Sequence, residues 1–160
     1  MSRTFSTAVF CSALAMGAML SISPLRAEGK LDTLEKFSSG KTEMVIATYH
    51  DPAAAGSTKV GLIGIGAPKR NSFAFEADEW DRLIALCNKA VGIQGTAWTA
   101  VGSMTETGTT DVSKITISAG PGVRFIISSA KGVTVTYALP KADAPRFQKG
   151  LVRVRDFLAE

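Results

Sequence analysis

Between residues 112 and 139 the sequence alternates apolar and polar side chains over three short segments, and this period of two constrains the fold most. Val133, Val135 and Tyr137, for example, alternate with Thr134 and Thr136. Successive side chains of a strand point to opposite faces, so the pattern predicts strands with one buried and one wetter face. Short turns of glycine, proline and small polar residues separate the segments and predict an antiparallel meander. The strands predicted in this half are Ala97–Thr105, Val112–Ala119, Val123–Ser128 and Val133–Leu139.

The first half of the chain also contains segments with strand composition. They are rich in β-branched and aromatic residues, and Asp51-Pro52 ends the first of them because proline cannot extend a sheet ladder. Residues 28–40 have a different spacing, since Leu31, Leu34 and Phe37 recur every three residues. That spacing predicts a short lead-in helix ending at Gly40, with a flexible segment as the alternative. The strands predicted here are Thr42–Tyr49, Val60–Ile65 and Ser72–Phe75.

Two amphipathic helices are predicted, one after each group of strands. The first carries an apolar stripe from Trp80 to Val91 with acidic residues in its opening turn, and the second begins near Pro145. Gly61, Gly64 and Gly66 do not have the order of a dinucleotide loop, and they favour close packing of another element on the strand. The helix residues expected to meet the apolar side of the sheet are Trp80, Leu83, Ile84, Cys87, Phe147, Leu151, Val154, Phe157 and Leu158.

Together these elements predict a single α+β domain over residues 28–160. We expect one antiparallel sheet of about six to seven strands with two helices packed on one face. Each half is a run of strands followed by a helix. This order is compatible with an internal duplication whose two copies no longer have equal spacing. In element order the chain is similar in outline to the Whirly arrangement of twice-repeated strands and a helix, and this resemblance carries no function.

Residues 1–27 have the order of a secretory signal peptide. Arg3 gives a positive start, Ala8–Ile22 is apolar or small, and Ser23-Pro24 precedes a small residue at Ala27. The apolar stretch is shorter than the roughly 20 residues of a membrane-spanning helix. We therefore predict cleavage near Ala27, a periplasmic or secreted product, and no transmembrane segment in the mature chain; an uncleaved anchor is the alternative.

Charge and cysteine content exclude several classes. The chain has a formal net charge of +4, and the leader's Arg3 and Arg26 account for two of those charges. The remainder is spread along the chain, so it gives no footprint for nucleic acid. Cys87 is the one cysteine after the leader, so no internal disulfide is expected there. We predict no metal and no cofactor, because the ligand spacings and phosphate loops that bind them do not occur.

His50 and Asp51 are the candidate catalytic residues. A histidine can act as a general base when a second group orients it, and a strand end is a suitable place for such a pair. The competing interpretation is a surface histidine beside a turn aspartate.

Five residues are candidates for binding a ligand or partner. Trp98 can mark an exposed aromatic surface, and Arg124 lies on the wetter face of the predicted sheet. Arg146, Lys149 and Arg153 form a basic patch on the last helix, which fits an anionic envelope component or a protein partner. Solvated helix charges are the ordinary explanation for that patch.

Two classes of function remain open. We favour an exported, non-enzymatic binding or accessory protein of the bacterial cell envelope, with no ligand identified. A structural subunit is a variant of this class and would expose a large apolar patch. The alternative is a small periplasmic hydrolase-like enzyme that uses His50 and Asp51.

Overall fold

The computed structural model describes residues 29–53, 58–66, 71–105 and 113–160. The predicted leader over residues 1–27 and the turn before residue 113 lie outside the described residues. The elements are β1 (Lys30–Ser39), β2 (Thr42–Asp51), β3 (Thr58–Gly66), β4 (Asn71–Phe75), α1 (Ala77–Gly92), β5 (Thr99–Thr105), β6 (Ser113–Ala119), β7 (Gly122–Ser129), β8 (Thr134–Pro140) and α2 (Ala144–Ala159).

The strands form two four-stranded antiparallel sheets, in the orders β1-β2-β3-β4 and β5-β6-β7-β8. The α+β class with antiparallel sheets and two helices is confirmed. The expectation of one sheet of six to seven strands is wrong, because the chain leaves the first sheet through α1 and starts a new ladder at β5.

The predicted lead-in helix over residues 28–40 is also wrong, because Lys30–Ser39 is strand β1. Its spacing of three is explained by an irregularity between Thr33 and Glu35, which shifts the pairing with β2 by one residue. Leu31 and Phe37 consequently lie on opposite faces of the sheet, in two separate apolar clusters. β5 carries a similar register shift, between Ala100 and Gly102.

Each helix packs mainly on the sheet of the other half. α1 lies against β5, β6 and β7, whereas α2 lies against β1, β2 and β3. The last strand of each half also contacts the sheet of the other half. Strand β4 lies against β6 and β7, and strand β8 lies against β1, β2 and β3. The two halves therefore share one core rather than forming two.

The two helices meet over Gly61. A side chain there would stand 2.6 Å from both Trp80 and Val154, so glycine is needed for this close approach. The Trp80 indole N–H donates a hydrogen bond of 2.9 Å to the Leu151 carbonyl, which joins α1 to α2. The predicted helix residues lie as expected: Trp80, Leu83, Cys87, Phe147, Leu151 and Val154 are buried, and Ile84, Phe157 and Leu158 are partly buried.

The outward faces of the two sheets differ in chemistry. We call the first the apolar outer face; it consists of Leu31, Val45, Ala47, Tyr49, Val60, Leu62 and Ala74. The second, on β5–β8, carries hydroxyls and two cations, and we call it the polar outer face. Neither helix of the described chain is long and apolar enough to cross a membrane.

Candidate functional site

The polar outer face is built from rows of side chains that pair across the second sheet. The central row contains two threonines and a serine beside Ile126, and the rows on either side carry Lys114 and Arg124. Because strand residues alternate between faces, every second position of β6, β7 and β8 faces outward here. The rows are Ser103, Thr116, Ile126 and Thr136; Thr105, Lys114, Ser128 and Thr134; and Ala100, Ser118, Arg124 and Ala138.

Arg124 is the most constrained cation of this face. Its guanidinium carbon lies 4.7 Å from the centre of the Trp98 ring, in a cation–π contact. The Nε of Arg124 is buried and has no hydrogen-bond partner among the described residues. The side chain is therefore held in place by stacking while hydrogen-bonding capacity remains unused.

Trp98 reaches Arg124 because the chain between α1 and β5 passes close to the β6–β7 turn. A side chain at Gly120 would stand 3.0 Å from the Trp98 ring and 3.1 Å from the Ala97 carbonyl oxygen. The turn is closed by a 3.0 Å hydrogen bond from the Gly120 N–H to the Gly122 carbonyl. Gly120 thus positions the tryptophan, a role that the sequence pattern did not reveal because the two residues are distant along the chain.

The charge of the second sheet is one-sided. Strands β5 to β8 contain no aspartate or glutamate, while Lys114 and Arg124 face outward from them. The first sheet, by contrast, carries charges of both signs, as in the pair of Lys36 and Glu43 at 2.8 Å. The described strands of this face therefore present cations and hydroxyls without a carboxylate, an arrangement that attracts anionic groups.

The predicted basic patch on α2 is largely turned toward β1. The Arg146 guanidinium stacks on Phe37 at 4.3 Å and donates a 2.7 Å hydrogen bond to the Lys36 carbonyl. Arg146 and Arg153 also lie 3.5 and 3.4 Å from the two oxygens of Glu35. These arginines keep half of each side chain exposed while they attach α2 to the irregular part of β1, and Lys149 is exposed as well.

His50 and Asp51 occur at the end of β2, on opposite sides of the sheet. The imidazole meets Phe157 of α2 edge to face at 6.4 Å. The Asp51 carboxylate accepts a 3.0 Å hydrogen bond from the Ala53 N–H, as in an Asx turn. Burial, and after it the charge of Asp51, raises the pKa of Tyr49. Lys59 approaches the same helix end and donates a 3.4 Å hydrogen bond to the Phe157 carbonyl.

The described chain also contains a buried cysteine and a small cavity outside the polar outer face. Cys87 is a free, buried cysteine, and burial raises the pKa of its thiol well above the usual range. Among residues 29–53, 58–66, 71–105 and 113–160, no group of three His, Cys, Asp or Glu side chains could hold a metal ion. A cavity of about 250 Å³ lies beside Val91, Val123, Lys141 and Gln148, and is smaller than the 300 Å³ or more that small-molecule sites usually occupy.

No family model matches this sequence, and no curated protein matches it. The functional inference therefore depends on the chemistry of the described side chains.

Proposed function

We propose that this chain is an exported, non-enzymatic binding protein that recognises an anionic component of the bacterial cell envelope on its polar outer face. The observation that carries the proposal is Arg124, whose partly exposed guanidinium is stacked under Trp98 on strands that contain no aspartate or glutamate. An anion that accepts hydrogen bonds from this guanidinium would use donors that are already oriented. Charge-assisted bonds of this kind contribute about 1.5–3 kcal/mol each.

The ligand class follows from the side chains of the polar outer face. Rows of serine and threonine hydroxyls extend across four strands, and Thr134 already donates a 3.1 Å hydrogen bond to Ser128. A sheet surface with rows of hydroxyls and isolated cations suits a polar chain that bears occasional carboxylates or phosphates. We therefore expect an acidic glycan rather than a small molecule.

Binding to three probe polymers tests this proposal. Polygalacturonate supplies carboxylates, lipopolysaccharide supplies phosphates on a sugar chain, and dextran supplies neither. We expect the Arg124→Ala variant to bind the acidic probe about tenfold more weakly, which corresponds to about 1.4 kcal/mol. The Arg124→Lys variant should recover little of the affinity lost in Arg124→Ala, because lysine lacks the planar guanidinium that stacks on a ring and pairs with an anion.

Arg82→Ala is the matched control, since it removes an exposed positive charge from α1. It should leave binding nearly unchanged. Equal losses in Arg82→Ala and Arg124→Ala, or equal binding of dextran, would exclude a specific anion site on the polar outer face.

We further propose that the chain is exported and cleaved after Ala27, and that the two halves arose by duplication. Intact-mass measurement of a periplasmic fraction tests the first point, with Glu28 as the expected first residue. The repeated order of four strands and a helix, with a register shift in both first strands, supports the second.

A further inference from the structure

Lys114 is the second cation of the polar outer face, and it lies far from Arg124 along the same two strands. Arg124 of β7 pairs with Ser118 of β6, whereas Lys114 pairs with Ser128. Lys114 therefore stands four residues from the Arg124 row, a separation of about 14 Å at the usual rise of a strand. The two cations consequently mark two separate places on the face.

The contact with Trp98 keeps these places apart. The Trp98 ring lies beside Gly120, since a side chain at Gly120 would stand 3.0 Å from it. Gly120 is on the far side of Ser118 from Lys114, at the β6–β7 turn. The Arg124 guanidinium, stacked 4.7 Å from the centre of the Trp98 ring, is thus directed toward the turn and away from Lys114.

The surroundings of Lys114 suit a second anionic group. The side chain is exposed, and it forms no ion pair with the carboxylates of the described residues. The Ser128 oxygen opposite it accepts a 3.1 Å hydrogen bond from Thr134, which leaves the Ser128 hydroxyl proton available to a ligand. An ammonium and a hydroxyl donor on directly paired residues favour an anion between them.

The row between the two cations is uncharged. Ile126 is its centre, is partly exposed and has Thr116 and Thr136 as its neighbours. A carboxylate over this aliphatic side chain would lose water without gaining a charged partner. A neutral sugar fits better, because its C–H surface can lie on Ile126 while its hydroxyls bond with the two threonines.

We propose, on the basis of the proposed function, that the polar outer face binds an acidic glycan in which neutral sugars separate the charged ones. One acidic group pairs with Arg124, a neutral segment lies over Ile126, and a second acidic group pairs with Lys114 and Ser128. The glycan runs along β6 and β7 rather than across the sheet, because the neighbours of Arg124 across the sheet are Ala100, Ser118 and Ala138.

Two probes of different length test the second anion subsite. Both alternate glucuronate with N-acetylglucosamine; one is a disaccharide, and the other is long enough to reach both cations. Titrations at low salt, followed by the indole N–H signal of Trp98 in NMR spectra, measure their affinities. We expect Lys114→Ala to weaken the long probe about fivefold, the size of an exposed charge pair, and to leave the disaccharide unchanged.

Lys41→Ala is the matched control, because Lys41 is an exposed lysine at the β1–β2 turn of the first sheet. It should bind both probes as the wild type does. Equal affinities of Lys114→Ala and Lys41→Ala for the long probe would overturn the second subsite, and so would an equal loss for both probes in Lys114→Ala. Arg124→Ala separates the two hypotheses: if it weakens both probes while Lys114→Ala weakens neither, the proposed function stands and the second subsite falls. If neither variant weakens either probe, both fall.

The Ile126→Lys variant tests the neutral segment. It places a cation between the two existing ones, so it should strengthen binding of polygalacturonate, which has a carboxylate on every sugar. Binding of the long alternating probe should not improve, because a neutral sugar lies at that point. Equal gains for both polymers would overturn the proposed spacing of charges.

Thr116→Lys repeats this test from the neighbouring strand if Ile126→Lys disturbs the fold.

Discussion

Two arginines of this molecule lie over aromatic rings, and their remaining contacts separate their roles. Arg146 stacks on Phe37 and uses its donors on the Lys36 carbonyl and Glu35, so it fastens α2 to β1. Arg124 stacks under Trp98 but keeps a buried Nε without a partner in the described chain. Stacking on an aromatic ring therefore accompanies a full set of donor contacts at Arg146, whereas at Arg124 one donor stays without a partner among the described residues.

The sequence predicted which face Arg124 occupies but not which residue holds it. Alternation in β7 is a local property, so it assigns Arg124 to the wetter face without knowledge of the fold. The contact with Trp98 depends on the path of the chain between α1 and β5 and on the space above Gly120. Such contacts between distant segments are set by packing, and periodicity carries no information about them.

The thiol of Cys87 is expected to be chemically quiet. The side chain is fully buried on α1, and burial raises its pKa, so the reactive thiolate is scarce in the folded protein. In a chain that begins at Glu28 and so lacks Cys11, Ellman's reagent should react slowly with the native protein and quickly in urea. The Cys87→Ser, Thr136→Cys variant is the control, because its exposed thiol should react at once. Rapid labelling of native Cys87 would contradict its placement in the core.

Stability is expected to fall above about pH 9, the ordinary pKa of a cysteine thiol. The folded protein holds the Cys87 proton at pH values where the unfolded chain releases it. The free energy of unfolding therefore keeps its full value below this pH and decreases as the pH rises above it. Each pH unit beyond that point costs about 1.4 kcal/mol. Urea midpoints measured from pH 7 to pH 9.5 would record the decline.

Cys87→Ala provides the control for this alkaline loss. It should lower the midpoint at pH 7, because it leaves a small cavity, but flatten the dependence on pH. The raised pKa values of Tyr49 and Tyr137 act in the same direction at higher pH, since the ordinary pKa of tyrosine is 10.0. An unchanged slope in Cys87→Ala would assign the decline to other groups.

At the level of elements, the helices and seven of the eight strands could be predicted, and β1 could not. Strong periodicity identified α1, α2 and the meander, because each satisfies its pattern within one segment. In β1 the apolar residues are spaced by three and the register shift places them on two different faces. A strand that serves two apolar clusters has no simple period, so local spacing resembled a helical turn.

Docking of α2 is expected to depend on Leu151. This side chain is 1% exposed, and its carbonyl accepts the hydrogen bond from Trp80. Truncation in Leu151→Ala removes a large aliphatic group from the core and should cost about 2–5 kcal/mol. Urea denaturation followed by circular dichroism measures this cost.

Val152 provides a matched control one residue along the same helix. It is 38% exposed, so Val152→Ala should change stability by less than about 1 kcal/mol. Similar midpoints for Leu151→Ala and wild type would mean that α2 does not dock through this side.

At the scale of the whole molecule, the decisive feature is the exchange of helices between halves. The sequence predicted strands followed by a helix twice, but the covering of each sheet by the helix of the other half could not be read from it. Amphipathic patterning predicts that a helix has an apolar face, but it does not predict which sheet that face packs against. For the same reason, the division of eight strands into two sheets was not predicted.

This exchange predicts that neither half folds alone. A fragment of residues 28–95 would contain β1–β4 and α1 but would lack α2, which covers β1, β2 and β3. Phe37, Met44 and Ile46, now in the common core, would then face water, and the fragment would lose the burial on which its stability depends. The fragment of residues 96–160 would lose α1 from β5, β6 and β7 in the same way.

We therefore expect each fragment to show little cooperative unfolding in urea, and an equimolar mixture to recover native-like circular dichroism and a sigmoidal transition. The mixture should lose this recovery when the second fragment carries Leu151→Ala and keep it with Val152→Ala. A cooperative transition in the isolated first fragment, at the midpoint of the intact chain, would mean that α1 can cover its own sheet and that the exchange is not required for folding.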